Sequence, residues 1–334
     1  MTGEHVPLST FPKVKLRDGE EHVQRITYLA EIRNRLLRPL DEKYQADSKG
    51  FRSAAHVEFD KVLFLNDVFF SPREAIHLLF ATNKHAGRAR YRAACAVDFI
   101  RGAQFYDTFV VRDAEGYSNG FMVYPWFSTA GQAESRAAVL AGSDAVPVRS
   151  CWGGLAAFDA ALFQTRDASS PFTSNKDYEL LHFRSSGEMY WEAAECCLLF
   201  ADIEEQFGMS QPTEGTGVFL NPYVRVAYTE MTWKLLPLFK RFERIFELAQ
   251  YITSSLAYPE INSRRLHEPG SLVNESVWQA GNSTAGTQDG FAVISRVAQP
   301  GGFCGQRRLF VMKDDIESAN AEHTGKNWRS IPVP

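Results

Sequence analysis

The run Lys61-Val62-Leu63-Phe64-Leu65 constrains this chain most, because it leads straight into an acid, in Asn66-Asp67-Val68-Phe69-Phe70. A short unbroken run of β-branched and aromatic residues reads as a buried strand. In open parallel sheets the ligand crevice lies outside the carboxyl ends of the strands. A carboxylate delivered there is placed as a metal ligand. An Asp beside an amide oxygen suits a hard cation such as Mg²⁺ or Mn²⁺, which in turn clamps a diphosphate. Strands also end in Asn-Asp where the chain only turns, so an Asx turn is the competing reading.

The surrounding pattern alternates strands with helices, which argues for an α/β protein. Arg25 to Leu37 has helical apolar spacing and Pro39 ends it. A polar connection over 40–56 leads to a strand from Val57 to Leu65. Ser71-Pro72-Arg73-Glu74 then has the N-cap, first-turn proline and Glu of a capping box. Ala93 to Phe99 is a second apolar strand, ending in Asp98. Residues 105–112 read as a strand or a connection onto one, and 127–145 as small and helix-prone. A Ser/Asp/Asn-rich loop covers 164–178. Ser185-Ser-Gly-Glu188 looks like another capping box, opening a helix through Trp191 to Phe200. A short strand at Val218–Leu220 precedes one long helix from Thr232 to Leu256. Beyond 259 only Phe291 to Val297 reads as a strand.

The chain has 334 residues, 45% hydrophobic and 23% charged, with a net charge of −4. That is ordinary for a globular protein, and with no basic block nucleic acid is not an expected partner. No apolar run reaches the length of a membrane span, and the polar N-terminus has no signal-peptide core. Neither a serine-hydrolase elbow nor a P-loop motif occurs. None of the eight histidines has metal-ligand spacing. The five cysteines form no zinc pattern, and free buried thiols are the plainer reading over a disulfide. Sequons at Asn274-Glu-Ser276 and Asn282-Ser-Thr284 are compatible with a secretory lumen.

Val62-Leu-Phe-Leu-Asn-Asp-Val68 closely resembles the segment that replaces Asp-x-Asp in the fungal capsule-associated α-1,3-mannosyltransferase family. Further segments follow in the family's order. They are Tyr28-Leu-Ala-Glu-Ile-Arg-Asn34, Ala94-Cys-Ala-Val-Asp-Phe99, Phe105-Tyr-Asp-Thr-Phe109, Arg112-Asp113, Cys151-Trp-Gly-Gly154, Trp191-Glu-Ala-Ala-Glu-Cys-Cys197, Asn221-Pro-Tyr-Val-Arg225 and Gly301-Gly-Phe-Cys-Gly305. The resemblance implies a GT-A-like nucleotide-diphospho-sugar transferase fold. It further implies retaining transfer of mannose from GDP-mannose to a mannoside acceptor, forming an α-1,3 link in capsule or cell-wall glycan. A divalent metal, Mn²⁺ or Mg²⁺, and a lumenal Golgi location behind a membrane anchor come with it. This chain is expected to lack that anchor. With 65 residues ahead of Asn66, two complete βαβ units do not fit, so the single catalytic domain is expected to be N-terminally truncated. Its nucleotide-sugar and metal part would span 1–150 and its acceptor part with a C-terminal extension 151–334. A non-catalytic sugar-binding or scaffolding subunit, and a transferase for another nucleotide hexose, are the alternatives.

The candidate site residues follow from both lines. Asp67 is the metal ligand, with Asn66 beside it. Arg33 and Asn34 face the nucleotide by resemblance, Arg33 as a phosphate fork. Glu192 and Glu195, three apart, would share a helix face as a carboxylate pair whose pKa values are driven apart. Asp98 ends a strand as Asp67 does and belongs to the same rim. Asp107, Arg112 and Asp113 are a similar set, read more readily as structural. Trp152-Gly153-Gly154 suits a hexose, the indole stacking and the glycines letting substrate approach. Tyr223 and Arg225 are placed in the same cleft. Gly301–Gly305, with Arg307 and Arg308, reads as a structural turn more readily than as a loop over a diphosphate.

Overall fold

The computed structural model describes residues 6–40, 58–164, 179–208, 217–256, 262–281, 289–313 and 327–334. The connection over 41–57, most of the 164–178 loop and the Asn282 sequon lie outside these.

A central sheet is built from β1 (Lys61–Leu65), β2 (Ala93–Arg101), β3 (Arg112–Asp113), β4 (Val146–Ser150), β5 (Leu155–Asp159) and β6 (Val218–Ala227). Their order is β1-β5-β2-β6-β4-β3, with Gln104–Phe105 pairing onto β2. The sheet is mixed, where the alternating pattern suggested parallel strands. β5 runs antiparallel to both β1 and β2, and only β2 and β6 are parallel. Leu155 pairs with Leu65 and Ala156 with Cys95. The carboxyl ends of β1, β2 and β6 therefore meet the start of β5 at one edge. All five residues of β5 and the first seven of β2 are buried. That leaves the polar chemistry to this edge.

Among the described residues the α-helices are α1 (Arg25–Leu37), α2 (Pro72–Ala81), α3 (Glu134–Leu140), α4 (Glu195–Phe207), α5 (Glu230–Phe242) and α6 (Phe246–Leu256). α1 has the predicted bounds. α2 opens on the predicted capping box, both reciprocal bonds of Ser71 and Glu74 being made. α4 buries eight residues from Glu195 to Ile203 and is the central core helix.

Several expectations are corrected. The helix predicted from Ser185 starts at Glu195 instead. The Glu188 carboxylate does not cap it but pairs with Arg264 at 2.7 Å and Arg296 at 2.8 Å. Glu192–Ala193 forms a short ladder with Gly305–Gln306. β2 continues past Asp98 to Arg101, so that acid is interior to its strand. β6 runs through Pro222 because its register on β2 shifts between Leu220 and Arg225, a bulge that tolerates a residue without an N–H. The long helix is broken by a 3-10 turn at Glu243–Ile245. A hairpin of β7 (Leu272–Gln279) and β8 (Gly290–Val297) occupies the region read as irregular except for Phe291–Val297.

The cysteines depart most from expectation. Cys95 is bonded to Cys151 and Cys197 to Cys304, leaving Cys196 as a buried thiol. Partners 56 and 107 residues apart leave no local spacing to read. The first bond ties β2 to the turn that precedes Trp152. The second ties α4 to the Gly301–Gly305 loop. No helix among the described residues is long and apolar enough to cross a membrane.

Candidate active site

β1 delivers Asn66 and Asp67 to the shared sheet edge, as its acid-ended sequence predicts. The Asn66 amide donates to the Gly154 carbonyl at 3.0 Å, and Phe69 exchanges backbone bonds of 2.7 and 3.1 Å with Ala227. The turn is thus fastened to β5 on one side and β6 on the other. Asp67 stands exposed at its crest, and its carboxylate has no partner among the described residues.

Asn66 leads inward. Its Oδ1 accepts from the Trp152 indole Nε1 at 3.4 Å. The Arg33 guanidinium lies 3.9 Å from the centre of the Trp152 ring, and its Nε is 3.0 Å from Glu195 Oε1. Glu195, Arg33, Trp152 and Asn66 form one connected line from the start of α4 to the Asp67 turn. Glu195 is 2% exposed, so its charge is balanced within the protein by Arg33. Arg33 Nη1 is buried with no partner among the described residues.

Below the turn lies an acid pair. Asp98 Oδ1 accepts from the Asp107 amide at 3.0 Å and its Oδ2 from the Tyr228 hydroxyl at 3.2 Å. Asp107 turns its carboxylate onto the Val110 and Gly153 amides at 3.2 and 3.1 Å. Burial, reinforced by the Asp107 charge, pushes Asp98 up to about 8. Burial also raises Asp107, against the Gly153 and Val110 amides and the Arg112 charge, which favour its anion. Two buried carboxylates this close do not both ionise at neutral pH. The amides place the negative charge on Asp107 and the proton on Asp98.

Three predicted residues are here in other roles. Trp152 is 5% exposed and set among Phe64, Phe158 and Phe183, so it supports Arg33 and Asn66 and is no open platform for a hexose. Gly153 and Gly154 have φ of +57° and +67°. A Cβ on Gly153 would sit 1.9 Å from the Ala96 carbonyl oxygen, so these glycines admit the neighbouring strand, not a substrate.

Others lie apart from the site. Asn34 clips the Phe183 backbone, donating to its carbonyl and accepting from its amide, both at 2.8 Å. Arg225 makes a two-pronged pair with Glu243 and the Tyr223 hydroxyl donates to the Gly142 carbonyl, both bracing β6. Asp113 caps the turn to Tyr117, and Arg112 Nε donates to the Phe303 carbonyl. Gly301 and Gly302 pack against Leu198 and the Arg264 carbonyl, as a structural turn does. Glu192 shares no helix face with Glu195. It is 6% exposed, both its oxygens lack partners among the described residues, and burial raises it to about 7 against the pull of Arg25 and Arg308.

Tyr228 and Tyr106 were not legible as site residues. Tyr228 follows directly on β6, a strand whose second half sequence reasoning lost at Pro222. Tyr106 is 47% exposed, with its ring centre 4.6 Å from that of Tyr228. With Phe69, 42% exposed, it is an aromatic surface that this edge offers to solvent.

Among the described residues no group of three His, Cys, Asp or Glu side chains is arranged as a metal cage. The donor chemistry present is one exposed carboxylate, Asp67, the Asn66 amide oxygen being turned inward onto the Trp152 indole. That fits Mg²⁺ or Mn²⁺ arriving with a diphosphate, since such ions take one or two carboxylates and complete their shell with phosphate oxygens and water.

No curated protein and no solved structure matches the chain. The family described as cryptococcal mannosyltransferase 1 matches residues 1–202, which hold Asp67, the acid pair, Arg33, Trp152 and Glu195. Across well over half its length, this chain belongs to that mannosyltransferase family.

Proposed function

We propose that the protein transfers mannose from GDP-mannose to a mannoside hydroxyl, with retention and an α-1,3 linkage, on a GT-A-like scaffold. The observation that carries this reading is the Asn66–Asp67 turn. It offers an unpaired, exposed carboxylate on a turn fastened to Gly154, next to the Gly153 whose amide holds Asp107 of the acid pair, in a member of a mannosyltransferase family.

A Mn²⁺ or Mg²⁺ ion held by Asp67 would neutralise charge developing on the departing diphosphate. The chain's own residues do the rest. The Glu195–Arg33–Trp152 line fixes the Asn66 side chain and with it the direction of Asp67. Tyr106 presents an aromatic face to the sugar. Asp107, held as the anion by backbone amides, favours positive charge at the anomeric centre. Asp98 keeps its proton and fixes Tyr228. Glu195 acts only through Arg33, so it is a positioning residue and not a base. Two disulfides support an oxidising lumen such as the Golgi, with Asn274 exposed on β7 as a glycan acceptor.

The test is transfer of labelled mannose from GDP-mannose to α-mannobiose with Mn²⁺, against the same reaction in EDTA and with GDP-glucose. Metal-dependent, mannose-selective transfer to the 3-hydroxyl is expected. Equal use of GDP-glucose refutes the donor assignment, and hydrolysis or transfer unchanged in EDTA refutes the metal.

A further inference from the structure

Next to Asp107, Thr108 lines a cavity of about 410 Å³, within the range of small-ligand sites. Its walls come from the 116–122 turn, from Asn262 to Arg265 and from the Gly305–Arg307 segment. Three of its lining residues are arginines, Arg112, Arg265 and Arg307, and none of those described is acidic. Asn119 is 8% exposed, yet neither its amide nitrogen nor its amide oxygen has a partner among the described residues. Buried polar groups are nearly always hydrogen-bonded, so an unpaired amide in a cavity wall marks a place for a ligand.

The arginines are held in place. Arg112 donates to the Phe303 and Val111 carbonyls, both at 2.8 Å. Arg265 donates to the Glu115 carbonyl at 3.0 Å and lies 3.7 Å from the centre of the Tyr117 ring, while its Nε is buried and unpaired among the described residues. Arg307 stacks on Phe291 at 4.4 Å. Arg112 shares its charge with Asp107, whereas Arg265 and Arg307 meet a carbonyl and rings, with no ion pair to a carboxylate among the described residues, so their charge is left for a ligand. Guanidinium groups recognise carboxylate and phosphate oxygens, and an Asn amide offers the donor and acceptor that a sugar hydroxyl needs.

We propose that this cavity binds an anionic saccharide, a sugar chain carrying a carboxylate or phosphate group, through Arg265, Arg307 and Asn119. Resting on the transferase reading, the occupant is the acceptor: Thr108 adjoins Asp107, so a glycan seated here has its next residue beside the acid pair. The enzyme then prefers an acidic glycan as acceptor over a neutral mannoside of the same length.

The test titrates the intact protein with three probes of equal length, mannotetraose, tetramannuronate and a phosphorylated mannotetraose, without donor. Affinity for at least one charged probe is expected to exceed that for mannotetraose about tenfold or more, and to fall with added salt. The stronger charged probe identifies carboxylate or phosphate as the group recognised. Arg265→Gln and, independently, Asn119→Asp, which puts a carboxylate among the arginines, are expected to remove that preference. Both should leave GDP–Mn²⁺ binding unchanged. Equal affinity for all three probes, no binding to folded protein, or a preference surviving both variants overturns the proposal. Anion-selective binding by a protein that does not bind GDP would instead preserve the cavity and sink the transferase reading.

Discussion

Replacing Cys95 and Cys151 together by Ala probes stability and site at once. The bond joins residues 56 apart in sequence. On the chain-entropy account, closing a loop of that length is worth about 4 kcal/mol, because the crosslink removes freedom from the unfolded chain. With a urea slope of about 3 kcal/mol/M for a protein this size, the unfolding midpoint falls by about 1 M. Both sulfurs are fully buried, so solvation of the native state changes little. The consequence for function is specific. Cys151 is followed by Trp152, which holds Asn66, and Gly153, whose amide holds Asp107. Freed of its tether to β2, this turn holds both less firmly. GDP–Mn²⁺ affinity should drop even where the variant is fully folded. The assays are urea denaturation followed by tryptophan fluorescence, and thiol titration in denaturant. Without reductant the parent chain should show one thiol, Cys196, and after reduction five. Five thiols without reductant, or a double variant with an unchanged midpoint, refutes the reasoning.

Other consequences follow from single contacts. Glu192 has its pKa raised from 4.5 to about 7, so the folded state binds its proton more tightly than the unfolded one. Its contribution is therefore intact below about pH 4.5 and is lost as pH rises through 7. Glu192→Gln should stabilise the protein at pH 8 by at most about 3 kcal/mol and change little at pH 4, read by paired melting curves. Glu195→Gln leaves the Arg33 guanidinium buried without its counter-charge and should cost about 3–5 kcal/mol. Adding Arg33→Met should recover much of that, and a double variant as unstable as the single one contradicts the pairing. Gly153→Ala drives a Cβ into the Ala96 carbonyl at a positive φ, so soluble expression should collapse or the melting temperature fall by many degrees.

Much of this architecture was legible where the signal is local. The α1 spacing, the Ser71–Glu74 cap and the acid-ended β1 each depend on residues within one turn or strand; the first two have the expected bounds, and β1 ends at Leu65 as expected but begins at Lys61, after the acidic Glu58 and Asp60, and not at Val57. Signals that depend on distant partners misled. Ser185-Ser-Gly-Glu188 has the letters of a capping box, but Glu188 gains more from Arg264 and Arg296, which approach from residues far along the chain. That displaced the helix and, with it, the supposed pairing of Glu192 and Glu195. β7 looked irregular because polar residues interrupt it, yet Glu275 is buried against Arg264 and His267. Asp107 seemed structural because nothing local shows that its carboxylate meets the Gly153 amide. Asp67 stayed readable because an exposed ligand needs no distant partner.

The central claim is that Asp67 binds a metal–diphosphate donor at this sheet edge. Calorimetric titration of GDP and GDP-mannose, with and without Mn²⁺, into the parent protein and Asp67→Ala tests it most directly. The account predicts binding that requires Mn²⁺ and is lost in Asp67→Ala, whose fold should be unchanged because the exposed side chain makes no hydrogen bond or ion pair among the described residues. Metal-independent binding, or binding that Asp67→Ala retains in full, would contradict it.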